Sequence, residues 1–196
     1  MNYLLLIFGW VGYGALHSLL ASGTVKNAIQ GQITWLATYY RLAYNVFALL
    51  SLLLLLYFQS RIDRVVLMQP TPATHWVGIG MTGLGLVILF LALRQYDLSE
   101  FSGLDALKGR ENKKGKLTTR GLSAIVRHPL YTGTLFVLWG LWVYDATLSS
   151  LIMAFFLSAY IRVGIYFEEK KLIREFGDEY RNYQKQVPML FPTLLN

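Results

Sequence analysis

The 196-residue chain contains no cysteine, which excludes a disulfide, a thiolate metal ligand and a cysteine nucleophile. Histidine is scarce: His17, His75 and His128 lie far apart, with no HExxH pattern or acidic triad beside them, so no metal centre is expected. No GxGxxG-type phosphate loop is present either. Charged residues make up only 15% of the chain, and acidic ones are the fewer, 11 against 18 Lys and Arg. Apolar residues fill the space, at 55% with a mean hydropathy of +0.42, above the usual range for a soluble domain. The expected fold class is therefore an all-α integral membrane protein, a single domain over 1–196. A net charge of +7 raises nucleic acid as a partner, but most of the basic residues fall in loops on one side of the apolar segments, which is topology rather than nucleic-acid recognition.

About five transmembrane helices are expected, near 2–21, 35–58, 75–94, 129–144 and 147–180, with a polar loop at 95–127 and a tail at 181–196. The first has no basic leader and carries Gly, Trp and Tyr throughout, unlike a cleaved signal peptide. His17 and Ser18 near its end either pack against a neighbouring helix or line an active-site mouth. In the second, Arg41 and Asn45 are placed to share a partner, although snorkelling also explains the arginine. Gly78, Gly80, Gly83 and Gly85 give the third helix small faces for close packing. The fourth has only 13 apolar residues, Thr132 to Tyr144, too few to span at ~1.5 Å each. With the fifth it reads as a helical hairpin, Asp145 at the outer tip, which returns Glu168 to the membrane surface that holds His128.

Two stretches organise the chain: GLSAIVRHPLYTG at 121–133, and EEKKLIREFGDEYRNYQKQVPMLFP from Glu168. Pro129 suits the first position of a helix, and the residue before a proline is pushed towards extended geometry, so His128 should sit in the turn with its imidazole turned to a ligand.

The first stretch resembles the RHPxYxG signature of the membrane methyltransferases that include isoprenylcysteine carboxyl methyltransferase and the phospholipid methyltransferases. The second resembles their EExxLxxxFGxxYxxYxxxVPxxxP tail, matched by Glu168, Glu169, Leu172, Phe176, Gly177, Tyr180, Tyr183, Val187, Pro188 and Pro192. His17-Ser18, the basic loop and the Val187-Pro188-Met189-Leu190 ending look like a narrower branch, the bacterial methanethiol S-methyltransferases and NnrU-type membrane proteins.

The resemblance implies S-adenosylmethionine as methyl donor, with S-adenosylhomocysteine as product. It places the donor against Val126, Arg127, His128, Leu130, Tyr131, Gly133, Glu168, Glu169 and Tyr180. Arg162, Glu169 and His17 are the expected catalytic residues, and no metal is implied. A carboxylate suits the donor's sulfonium and ammonium, a basic group its carboxylate, and an aromatic ring its adenine. Arg162 stands seven residues before Glu169, two helical turns away, and either holds the acceptor, fixes the glutamate or forms an ordinary ion pair.

The acceptor should be small or lipophilic: a thiol by the narrower resemblance, a prenylated cysteine carboxylate or a lipid by the broader one. A thiol must lose its proton, with His128, His17 or a carboxylate as candidate bases; a carboxylate acceptor needs none. A non-enzymatic NnrU-like accessory protein is the alternative from another class. Loops 22–35 and 94–127 and the tail from Glu168 carry 1, 8 and 5 Lys or Arg, against 2 on the other side. The positive-inside rule then puts the cofactor pocket and C-terminal helix in the cytoplasm, beneath a bacterial or archaeal inner membrane. The sequence is silent on oligomeric state.

Overall fold

The computed structural model describes residues 2–23, 25, 26, 28, 34–95 and 117–192. Most of the polar loop expected at 95–127, residues 96–116 with the basic tract from Lys108 to Lys116, lies outside the described residues. All regular structure in the described residues is helical, apart from one isolated β-bridge. The helices are α1 (Asn2–Ala21), α2 (Thr34–Ser60), α3 (Pro72–Leu93), α4 (Pro129–Asp145), α5 (Leu148–Phe176) and α6 (Asp178–Gln186), with a 3-10 turn at Gly121–Ala124. Four of them, α1, α2 from Tyr39, α3 and α5, are long and apolar enough to cross a membrane. At 17 residues α4 reaches ~25 Å, short of a ~30 Å hydrocarbon core. Large apolar side chains stay uncovered along these helices, Trp76 72%, Phe8 71% and Leu54 68% exposed, a surface that water would penalise and hydrocarbon would not.

The described residues divide into two compact units, one within 1–64 and the other formed by 65–95 with 117–192. In the first, α1 buries Leu6, Trp10 and Gly14, a stripe at four-residue spacing. Trp10 Nε1 donates to Gln59 Oε1 at 3.1 Å, and Tyr40 donates to the Leu20 carbonyl at 2.7 Å. Between the two helices lies an apolar cavity of about 560 Å³, with Gly12, Phe47 and Leu54 among its walls and His17 at its edge.

The second unit is built on α3, α4 and α5. Thr71 caps α3 reciprocally: its hydroxyl accepts from the Thr74 amide at 3.2 Å, and Thr74 Oγ1 accepts from the Thr71 amide at 2.8 Å. Pro72 takes the first helical position, so the helix begins three residues earlier than expected. Facing glycines then set the α3–α4 distance. A Cβ on Gly85 would lie 2.7 Å from the Gly133 carbonyl, and one on Gly140 would lie 2.6 Å from the Thr82 amide. Gly78 meets Gly140 and Tyr144 as closely, whereas Gly80 and Gly83 meet nothing.

At the hairpin tip Ala146 adopts a left-handed conformation, and Thr147 caps α5 in a box with Ser150. An antiparallel bridge ties this tip to the preceding loop, Leu148 N to Val65 O and Leu67 N to Ala146 O, both 2.9 Å. The expected helix at 147–180 is two helices. Gly177, at φ +58°, ends α5, and Asp178 and Glu179 place acidic groups on the first turn of α6, where the helix dipole favours them.

Candidate active site

The hairpin returns the chain to its starting level, so the turn before α4 and the C-terminal part of α5 face each other. Their polar side chains converge on one carboxylate. Arg127 Nε donates to Glu169 Oε1 at 2.8 Å, His128 Nε2 lies 3.2 Å from the same oxygen, and the Tyr180 hydroxyl donates to it at 3.3 Å. Gln184 Nε2 donates to Oε2 at 3.0 Å. A carboxylate has about four lone-pair sites, so these four donors nearly saturate it. Side-chain exposures are 9% for Arg127, 4% for His128 and 13% for Glu169. Burial, and after it the Glu169 charge, pushes the Tyr180 phenol well above its ordinary pKa, which keeps it a neutral donor.

Arginine is required where it stands. While Nε holds Glu169, Nη1 donates to the carbonyls of Gln184 at 3.1 Å and Val187 at 2.6 Å, a forked arrangement a lysine cannot reproduce. The segment after α6 runs back across the turn as a strap. Arg127 N donates to Pro188 O at 2.9 Å, His128 N to Met189 O at 3.1 Å, and Thr132 Oγ1 to Leu190 O at 2.7 Å. The Tyr183 hydroxyl closes the other edge on the Ser123 carbonyl. Each half of the site is thereby folded on the other, and the preproline residue His128 sits at φ −124°, outside the helix it begins.

Of the residues singled out from sequence, Arg127, His128, Glu168, Glu169 and Tyr180 come together here. Tyr131 joins them with its ring centroid 5.6 Å from that of His128, tilted 32°. Val126 is buried at 5% exposure beneath the turn, and Leu130 is half-buried beside it. Gly133 is used otherwise: it lies against Gly85 and Leu89 of α3, so its missing side chain serves helix packing. Arg162 is exposed on α5 and is not among the partners of Glu169. His17 belongs to the other unit, where the Tyr44 hydroxyl lies 2.7 Å from its Nε2. Gln184 and Thr132 were missed from sequence; neither type nor spacing distinguishes them, because both act on atoms brought near only by the fold.

Glu168 differs from its neighbour. Its side chain is 43% exposed, and its Oε2 lies 3.8 Å from His128 Nδ1. Because Glu169 is occupied, Glu168 is the carboxylate with room for a cationic ligand. The start of α4 has no side-chain cap, which leaves the positive end of its dipole for an anionic group. Among the described residues no group of three or more His, Asp or Glu could hold a metal ion.

An all-helical membrane protein whose last hairpin joins an RHP turn to a Glu-Glu tail belongs to the isoprenylcysteine methyltransferase-like superfamily. The chain is a member of the family described as "Protein of unknown function (DUF1295)", which it matches over residues 24–187. It is 35% identical over 186 residues to methanethiol S-methyltransferase 2 of Bradyrhizobium diazoefficiens, covering 91% of this chain and 68% of that protein. Identity to the methanethiol S-methyltransferase of Pseudomonas deceptionensis is 37% over 136 residues, 69% of this chain and 48% of the relative. With the protein-S-isoprenylcysteine O-methyltransferase of Schizosaccharomyces pombe it is 35% over 116 residues, 54% of this chain and 48% of the relative. The chain thus spans about two thirds of the first of these and about half of the other two. No solved structure matches it.

Proposed function

We propose that the chain acts, as one domain over 1–196, as an integral membrane methyltransferase that moves a methyl group from S-adenosylmethionine to the sulfur of a small or lipophilic thiol. The observation that carries this reading is the Arg127–Glu169–His128 cluster, in which the two motif halves interlock beside an exposed carboxylate. The donor set suits the cofactor. Glu168 would hold its ammonium and sulfonium, the uncapped start of α4 would take its carboxylate, and Tyr131 would offer a ring to adenine. When bound, the cofactor supplies an electrophilic methyl group. The chain aligns the reactants and excludes water, which together account for several kcal/mol. The Lys and Arg distribution supports a site on the cytoplasmic face of an inner membrane.

The thiol is favoured by the methanethiol S-methyltransferases of Bradyrhizobium diazoefficiens and Pseudomonas deceptionensis, whose matches cover 91% and 69% of this chain against 54% for the isoprenylcysteine enzyme. Incubation of the purified protein with methyl-labelled donor and methanethiol should yield volatile labelled thioether. Absence of product, with label instead in a prenylcysteine, would replace this reading with carboxyl methylation. That second reading draws on the yeast relative.

A further inference from the structure

We propose that His128 is the general base of the reaction, taking the thiol proton at Nδ1 while Glu169 holds the ring through Nε2. This rests on the thiol reading of the site. A carboxylate only accepts, so with Nε2 3.2 Å from Glu169 Oε1 the hydrogen of a neutral ring belongs on Nε2. Glu169 is itself held by Arg127, Tyr180 and Gln184, so both tautomer and ring orientation are fixed before any substrate arrives. Nδ1 is then a bare acceptor, and it faces another acceptor, Glu168 Oε2, at 3.8 Å. In the neutral ring two acceptors converge with no hydrogen between them, which leaves a place for a proton.

Among the described residues the charged and titratable groups around the ring are Arg127 on its own turn, Tyr131 on α4, Glu168 and Glu169 on α5, and Tyr180 on α6 beyond Glu169. The Arg127 charge is offset by Glu169 at 2.8 Å, and Glu168 Oε2 stands 3.8 Å from Nδ1. The other candidate bases are weaker choices. His17 is engaged with Tyr44, Glu169 is saturated, and a carboxylate is a weaker base than an imidazole by about 2 pK units.

In the step, the S–H bond breaks and its proton passes to Nδ1. The electron pair left on sulfur bonds the methyl carbon, and the pair of the old carbon–sulfonium bond returns to the donor's sulfur. A neutral thioether leaves, and the imidazolium gives its proton to water along the exposed Glu168 side. One positive charge enters on the sulfonium and one leaves on the ring.

The test compares an alkanethiol, which needs a base, with thiophenol, which is already largely thiolate near neutral pH. In His128→Asn, kcat for the alkanethiol should fall by about 10²–10⁴-fold while that for thiophenol stays within about tenfold of wild type. Equal losses on the two acceptors would overturn the base assignment and leave the thiol reading intact; a wild-type protein that methylates neither would overturn both. If the variant does not fold, the tautomer decides. Nitrogen-15 spectra of histidine-labelled wild type, assigned with His17→Asn and His75→Asn, should show His128 protonated at Nε2 and bare at Nδ1. The opposite tautomer would overturn the proposal.

Discussion

Arg127 Nε stands 2.8 Å from Glu169 Oε1, and the same guanidinium reaches the carbonyls of Gln184 and Val187. One side chain thus pins α5, α6 and the strap to the turn before α4. Removing one partner leaves the other charge buried, so Glu169→Ala should cost about 3–5 kcal/mol. Arg127→Lys should cost less, because charge remains although the fork is lost. Thermal unfolding in detergent checks both, and a lysine variant as damaged as Glu169→Ala would show that charge is not what holds the cluster.

The α3–α4 seam should discriminate between glycines of the same helix. Gly85→Ala puts a methyl 2.7 Å from the Gly133 carbonyl, and overpacking of this kind costs about 1–3 kcal/mol. Gly83→Ala has nothing within 4 Å and should be neutral or slightly stabilising. Unfolding midpoints of the two variants in one detergent test the difference, and equal shifts would count against the seam.

Sequence made the hairpin legible because its signals are local: a proline at the helix start, a short apolar run, a break at Asp145-Ala146-Thr147. The Thr71-Pro72 start of α3 carries a local signal too, but the threonine box lies in a proline-containing stretch, where proline speaks as readily for a loop as for a helix start. Gly177 hid inside a helical pattern; only its positive φ shows that α5 ends there. Among four glycines of α3, spacing could not say which two face α4. Nor could it show that Glu169 is consumed by internal partners while Glu168 keeps its exposure, since Gln184 and the strap meet the pair only after the tail has folded back.

Thr132 anchors the strap through its hydroxyl, 2.7 Å from Leu190 O. Thr132→Val keeps the shape and removes that bond, so it should lose about 1 kcal/mol and expose the chain after Val187 to protease. Limited proteolysis compares it with wild type, and unchanged cleavage would mean the backbone bonds at Arg127 and His128 suffice.

Trp142 Nε1 is buried and finds no acceptor among the described residues. Replacing it with phenylalanine removes an unsatisfied donor at the cost of some packing, so Trp142→Phe should change stability by less than about 1 kcal/mol. Trp139→Phe should cost more, because Trp139 Nε1 donates to Ser158 Oγ at 3.1 Å. Paired unfolding curves decide, and the reverse ranking would show that Trp142 has a partner.

The central claim is that the two polar ends of the hairpin hold S-adenosylmethionine, and calorimetric binding of the donor to the detergent-solubilised protein tests it most directly. Glu168→Ala should weaken binding by about 10–100-fold, the worth of one charge-assisted contact, while Asp145→Ala at the far end of the hairpin leaves it unchanged. No binding to the intact protein, or equal losses from both substitutions, would contradict the account.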